Sequence, residues 1–313
     1  MKQIINKLLT ICKMSQQELL DQLPEYLERY YPKESIYITQ KYIYVKGDIP
    51  VLLVAHMDTV HLTTPENIWI SSDQTKIKSD EGIGGDDRCG IYALNYIATK
   101  PIKPHLLYTT DEEIGAIGAQ EFCADYEDID VNCIIELDRR GDKDVVVYDD
   151  DNTNLYKKFE KLGFTLANGS FTDISYISPH FKISGVNLSI GYYNAHTCNE
   201  YIDINVLKEN IDILYKFLEN PKNYRKKYTY KEKQVKNIFN RYRYLYRDNK
   251  CDCCGSYIND FDEEFITDDG IFCESCFNRY LNDYMICPHC NEIVYKAEKC
   301  EYCGSKLKED EYV

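Results

Sequence analysis

A chain of 313 residues with 44% hydrophobic content is long enough for one sizeable core and a second, smaller unit. Its formal net charge of −15 argues against a body that binds nucleic acid or a membrane surface wholesale, and no apolar run approaches the ~18 residues of a membrane span. Fourteen cysteines, eight of them in four C-x-x-C pairs, point to metal sites in a reducing cytoplasm more than to disulfides. The start of the chain has only a short, interrupted apolar stretch, so no signal peptide is read and a cytoplasmic location is expected.

Ser15-Gln16-Gln17-Glu18 has the spacing of a capping box. Leu19, Leu20, Leu23, Tyr26, Leu27 and Tyr30 follow at helical intervals and predict a helix covering a sheet. Residues 36–38 and 42–45 read as a hairpin or edge pair, and residues 50–55 as a fully buried strand delivering His56-Met57-Asp58 at its C-terminal end. Residues i and i+2 of an extended chain point the same way. A His there can bind metal through one ring nitrogen while a nearby carboxylate takes the other nitrogen's proton.

The glycine-rich stretch 80–90 leads into a helix over 91–98, and its acids are caps or ligands. Four acids and no Gly-Lys-Ser/Thr speak against a phosphate cradle. The next buried strand, 106–110, breaks into Asp111-Glu112-Glu113. Three adjacent carboxylates repel one another, which no core needs. A metal would offset that cost, with one acid as ligand and another as general base; the plain alternative is an acidic helix start with Asp111 as cap. Residues 131–137 form another buried strand, ending in Asp138-Arg139-Arg140-Gly141, and residues 145–148 a further one. A short helix over 155–162 is closed by Gly163, and residues 170–174 make a polar turn. The last strand, 186–191, leads through Tyr192 and Tyr193 to His196 and Glu200, and an amphipathic helix over 204–218 closes the domain.

Four apolar strands therefore end in a metal-capable residue: His56, Glu112 or Glu113, Asp138 and, after a short loop, His196, with Asp86 added by the glycine-rich loop. Strand ends of one parallel sheet lie along one edge, so these residues can converge.

His56-Met57-Asp58, Gly85-Asp86-Asp87-Arg88, Asp111-Glu112-Glu113, Glu136-Leu137-Asp138 and His196 with Glu200 form an ordered set over roughly residues 40–220. It resembles the co-catalytic di-zinc exopeptidases of clan MH, the aminopeptidases and related carboxypeptidases and deacylases. The resemblance implies a three-layer α/β/α fold with a central, mostly parallel mixed sheet. It also implies that Asp86 bridges two metals, with His56 and Asp138 completing one site and Glu113 and His196 the other. Glu112 would be the general base and Asp58 would orient His56. Zinc suits His nitrogen and carboxylate oxygen and brings a bound water's pKa from 15.7 to about 7; cobalt or manganese would be alternatives. Many such relatives carry an inserted lid or dimerisation domain, whereas the intervals from Asp138 to His196 and from His56 to Asp86 are only about 58 and 30 residues. A compact, lidless domain is expected, with Tyr192, Tyr193 or Arg139 as candidate oxyanion donors. Thr172-Asp173 resembles a Ser/Thr-Asp turn near the pocket of those relatives, or is a helix cap.

Residues 221–250 carry 11 Lys/Arg against 2 acids, interleaved with tyrosines, and residues 235–246 keep helical spacing. The segment reads as a basic helical linker packing on the acidic body, with single-stranded nucleic acid as the rival partner. Beyond it, Cys251, Cys254, Cys273 and Cys276, then Cys287, Cys290, Cys300 and Cys303, form paired knuckles for two structural zincs. Sequential pairing gives tandem ribbons; a cross-braced arrangement is the alternative. Cys12, Cys89, Cys123, Cys133 and Cys198 read as core or near-site thiols. The expected organisation is a di-metal hydrolase domain over 1–220, the linker over 221–250 and a small C-terminal zinc-ribbon module over 251–313. The leading function is an aminopeptidase acting on peptides, with the ribbons recruiting a protein partner or positioning substrate. The alternatives are a deacylase acting on a small N-acyl compound, and a binding protein using the hydrolase fold as scaffold.

Overall fold

The computed structural model describes residues 2–61, 63–169 and 171–233, the strand backbones at 264–267, 270–273, 284–286 and 293–295, and Lys306. The chain divides into two units, Met1–Gln234 and Val235–Val313.

The first unit is built on an eight-stranded sheet in the order β1 (Ile36–Ile38), β2 (Tyr42–Val45), β6 (Pro104–Thr109), β3 (Ile49–His56), β7 (Cys133–Arg139), β10 (Gly185–Ser189), β8 (Asp144–Val146) and β9 (Thr165–Ala167). The central four, β6, β3, β7 and β10, are parallel. The pairs β1/β2, β2/β6 and β10/β8 are antiparallel, so the sheet is mixed, as the resemblance implies. The central strands are largely apolar because both faces are covered, with buried polar residues such as His105 in β6, Glu136 in β7 and Asn187 in β10 as exceptions.

Alternate residues face opposite sides. Val51, Leu53 and Ala55 of β3 share one core cluster with α1 (Lys2–Cys12), α2 (Gln16–Leu27), α3 (Gly85–Ala98) and α7 (Ile204–Leu218). Leu52 and Val54 point into the other, under α4 (Ile117–Asp125) and α6 (Ile174–Phe181). Fully burying each such side chain contributes about 1.5–3 kcal/mol, which makes this alternation the main determinant of the three layers. The predicted capping box is formed: Ser15 accepts from Glu18 N at 3.2 Å and Glu18 accepts from Ser15 N at 2.8 Å. Helix α1 does not appear among the predicted elements; Ile5, Leu8, Ile11 and Cys12 form its buried stripe. The short α5 (Tyr156–Glu160) ends before Gly163, whose φ of 98° reverses the chain into β9.

A second, four-stranded sheet runs β11 (Tyr192–Tyr193), β12 (Tyr201–Asp203), β5 (Lys76–Lys78) and β4 (Trp69–Ile70). It is also missing from the sequence reading. Pairing of Tyr201 with Lys78 sets the His196 loop, between β11 and β12, beside the glycine-rich loop that follows β5.

Residues 221–233 belong to the first unit. Tyr224 is buried, Tyr228 exchanges backbone hydrogen bonds with Asn132 and Ser184, and Thr229 bridges to Ile183. The predicted helix over 235–246 lies outside the described residues. In the second unit the described strands form two antiparallel hairpins, β13 (Glu264–Thr267) with β14 (Gly270–Cys273) and β15 (Tyr284–Ile286) with β16 (Ile293–Tyr295). The eight ribbon cysteine side chains, and with them the two expected zinc sites, lie outside the described residues. Of the remaining thiols, Cys12, Cys89, Cys123 and Cys133 are buried and Cys198 is exposed. No helix among the described residues is long and apolar enough to cross a membrane.

Candidate active site

Strand β3 ends at His56, which register places opposite Thr109 at the end of β6. The imidazole is buried. Its Nδ1 lies 3.2 Å from Asp58 Oδ1, and its Nε2 lies 3.1 Å from Asp86 Oδ1 and 3.4 Å from Asp138 Oδ1. The other oxygen of Asp86, Oδ2, is 3.2 Å from His196 Nε2, which is also 3.2 Å from Glu113 Oε1. Asp86 thus stands between the two imidazoles with one oxygen toward each. The Asp86-Asp87 peptide is cis.

Asp58 does more than face His56. Its two oxygens accept the backbone N–H groups of Glu112 and Glu113, both at 3.0 Å, which locks the loop after β6 against the end of β3. Within the acidic triplet, Asp111 adopts φ 58°, a left-handed conformation Asp tolerates, and turns away. It is held by Lys41 Nζ at 2.7 Å and Gln16 Nε2 at 2.9 Å, while Glu112 and Glu113 turn to the site. Three like residues acquire three surroundings. Asp111 does not cap a helix, since α4 begins only at Ile117.

Glu200 is fully buried and accepts from Gly84 N at 2.8 Å and Asp86 N at 3.0 Å, with His61 Nε2 at 3.1 Å. It holds the glycine-rich loop, and through it the backbone of Asp86. Asp87 is buried behind, accepting from Gly90 N at 2.8 Å. Gly90 is required here, since a Cβ would run into the Asp87 carboxylate. Asp138 accepts from Thr172 Oγ1 at 2.8 Å and Tyr192 OH at 3.1 Å. Asp173 points inward to the Thr109 hydroxyl and makes no side-chain cap on α6. Its carboxyl is pushed up to about 7, first by burial and then by the carboxylates of Asp138 and Asp58.

Two of the expected oxyanion donors are already engaged. Tyr192 donates to Asp138, and Arg139 donates through two nitrogens to Asp144 at 3.1 and 3.2 Å. The third, Tyr193, stacks on Tyr201 at 4.9 Å. Sequence reasoning passes over His61, Asn187, whose Oδ1 accepts from Asp138 N, and the inward role of Asp173. Each acts through a partner remote in sequence, so no local spacing marks it.

The electrostatics are those of crowded acids. Burial pushes Glu112 up to about 9, with Asp138, Asp173 and Glu113 adding repulsion against the pull of His56. Burial and Asp86 lift Asp138 to about 6, partly opposed by His56. Burial would raise Asp86 too, but hydrogen bonds from His196 and His56 hold it well below the usual range. His196 is pushed up to about 10 by its bonds to Asp86 and Glu113. Among the described residues no Lys or Arg forms an ion pair with Asp86, Glu112, Glu113 or Asp138. Asp86, Asp138 and Glu113 instead face the imidazoles of His56 and His196.

The donor set fits divalent metal. Two ligands at about 2.0–2.1 Å from a tetrahedral zinc stand about 3.3 Å apart, and the imidazole–carboxylate contacts here span 3.1–3.4 Å. Asp86, Glu113 and His196 present one ligand atom each within 4.8 Å of one another, as do His56, Glu112 and Glu113, and His56, Asp87 and Asp138.

The structure is similar to those of a tripeptidase from Staphylococcus aureus (TM-score 0.53, 14% identity, covering 70% of this chain and 99% of that one) and an aminopeptidase from the archaeon Desulfurococcus kamchatkensis (0.55, 14%, 70% and 95%). Aminopeptidase PepT from Bacillus cereus gives 0.52 at 13% identity, covering 70% and 98%. The chain has the fold of these peptidases. No family model matches the sequence, and no curated protein matches it. At these identities the likeness is one of architecture, and the chemistry rests on the side chains.

Proposed function

We propose that the first unit is a di-metal peptidase, most plainly an aminopeptidase, with Asp86 bridging the metals, His56 and Asp138 holding one, and Glu113 and His196 the other. The observation that carries this is the Asp86 carboxylate, one oxygen 3.1 Å from His56 and the other 3.2 Å from His196. Bound metals would supply a nucleophilic water at neutral pH and polarise the scissile carbonyl.

The chain's own residues do the rest. Asp58 accepts a hydrogen bond from His56 Nδ1–H, so that Nε2 faces the site unprotonated, as a lone-pair ligand. Glu112 is held in the cleft by its backbone N–H on Asp58. There it takes the proton of the attacking water and gives it to the leaving amine. Its raised pKa favours proton delivery, and the positive charge of bound metal would draw it back toward a usable base. Thr172 and Tyr192 fix the Asp138 carboxylate by donating one hydrogen bond to each oxygen.

The intervals where relatives carry a lid are filled here by β4 and β5 on one side, and by β8, α5, β9, α6, β10 and β11 on the other, which supports a lidless domain. The ribbons at Cys251–Cys303 are proposed as structural zinc sites that recruit a protein partner. The test is hydrolysis of a peptide library by the zinc-loaded chain, with free and N-acetylated termini. An aminopeptidase requires the free amine, a deacylase cleaves the acetylated forms, and a scaffold cleaves neither.

A further inference from the structure

We propose that Arg140 is the subsite for a carboxylate on the substrate, so that the preferred substrates are short peptides carrying a free carboxylate close to the scissile bond. The proposal rests on the hydrolase reading above and names its substrate class.

The metal-site residues open onto a cleft of about 300 Å³ whose lining also includes Arg139, Arg140 and Phe171. That volume is at the small end of ligand pockets and suits a few residues, not a long chain. The two arginines are not equivalent. Arg139 is held by Asp144, with two donors on one carboxylate oxygen. Arg140 is exposed, and among the described residues its guanidinium has neither an ion pair nor a hydrogen bond.

Its root is nonetheless fixed. The Arg140 carbonyl accepts from Ser189 Oγ at 2.8 Å, and Gly141 N donates to the Tyr192 carbonyl at 2.8 Å. The backbone two residues beyond Asp138 is thus pinned to β10 and β11 while the planar fork stays open. The other basic groups lining this cleft are already engaged, Arg139 by Asp144 and His196 by Asp86 and Glu113, so a substrate carboxylate entering among the acids finds Arg140 as the free guanidinium. A guanidinium matches a carboxylate with two parallel hydrogen bonds, which an ammonium cannot. Phe171, 42% exposed and packed edge-on against Tyr176, leaves an apolar wall beside it. The carboxylate has two sources, the C-terminus of a di- or tripeptide or an acidic side chain.

The test is calorimetric binding of Leu-Gly-Gly, Leu-Gly-Gly-amide and Leu-Glu-Gly-amide to the full, zinc-loaded chain carrying Glu112→Gln, with Arg140 intact, Arg140→Ala or Arg140→Lys. It is run beside kcat/KM for the same peptides with Glu112 present. One charge-assisted pair predicts that the free acid binds at least about tenfold more tightly than its amide. Arg140→Ala removes the difference, Arg140→Lys restores part of it, and binding of the amide changes little, which also shows that the variant is folded. A preference for the Glu-containing amide that vanishes in Arg140→Ala supports the same subsite with a side-chain carboxylate. Equal binding of all three peptides, absence of binding, or a preference that survives Arg140→Ala overturns the proposal. Arg140-dependent binding without hydrolysis removes the peptidase reading and leaves the subsite; hydrolysis without that dependence does the reverse.

Discussion

The buried carboxylate of Glu200 accepts the backbone N–H of Asp86 at 3.0 Å, from 114 positions away in sequence. The residue proposed to bridge two metals is therefore positioned by a carboxylate that touches neither imidazole of the site. Glu200→Ala strands the N–H groups of Gly84 and Asp86 and the ring of His61. Each unsatisfied buried group costs about 1–3 kcal/mol, and lost support behind a ligand typically lowers metal affinity about 10–100-fold. Thermal unfolding and competition with a chelator of known affinity should both report the loss. Native zinc affinity in Glu200→Ala would sink this role.

Glu112→Gln keeps the shape and the backbone hydrogen bond to Asp58 while removing the base. Turnover should fall by about 10²–10⁴ with metal content unchanged by elemental analysis. A scaffold protein would show no difference between the two chains.

The stability of the metal-free first unit should fall as pH rises. Glu112, pushed to about 9 chiefly by burial, and His196, pushed to about 10 by Asp86 and Glu113, both bind protons more tightly folded than unfolded. Their contribution is complete below the ordinary values of 4.5 and 6.5 and is lost as pH climbs toward 9 and 10. Asp58 and Asp86 are held low, and their contribution appears above about 3.8. Melting temperatures of chelator-treated protein ending at residue 234 should therefore peak in mildly acid solution and decline from pH 6 to 9. Zinc, by taking over from the protons, should flatten that decline. A metal-free melting temperature that holds steady to pH 9 would contradict this account.

Zinc uptake should release protons for the same reason, because His196 must lose its proton to become a ligand. Calorimetry at pH 7.5 in two buffers of different ionisation enthalpy should give different apparent heats. Identical heats would mean that no proton leaves.

Metal content should drop from four per chain to two on truncation after residue 234. The cut belongs there and not near 220, because Tyr224, Tyr228 and Thr229 pack or hydrogen-bond onto the first unit. Two metals falling to none would leave the strand-end carboxylates without a cation.

Much of this architecture can be read along the chain. Asp203 caps α7 by accepting from Asn205 N and Val206 N, and the apolar period carries the helix to Leu218. Strands β3 and β6 are largely apolar runs that break into charge at His56 and Asp111, and β7 reaches Asp138 after one buried acid, Glu136. The stripe of α1, Ile5, Leu8, Ile11 and Cys12, keeps helical spacing with Lys2, Gln3, Asn6 and Lys7 on the other side, so this helix is legible in the sequence although no element is predicted there. The second sheet is not legible, because β4 and β11 are two residues long and β5 and β12 three, too short for any period to show. Glu200 stands out in the sequence only as an acid following His196, since its partners, the backbone of Gly84 and Asp86 and the ring of His61, lie in distant loops.

What the sequence determined by itself is what local chemistry encodes: periods of burial, caps, turn residues, and the abrupt passage from apolar strand to carboxylate that marks each candidate ligand. Folding decided which of the like residues serve. Asp111, Glu112 and Glu113 are adjacent and chemically alike, and only the left-handed turn at Asp111, with Lys41 and Gln16 waiting for it, separates the neutralised surface acid from the two that face the cleft. Arg139 and Arg140 are identical, and only Asp144 at the start of β8 occupies one and leaves the other open. Such choices depend on strand order and register, which bring together residues that no local interaction relates.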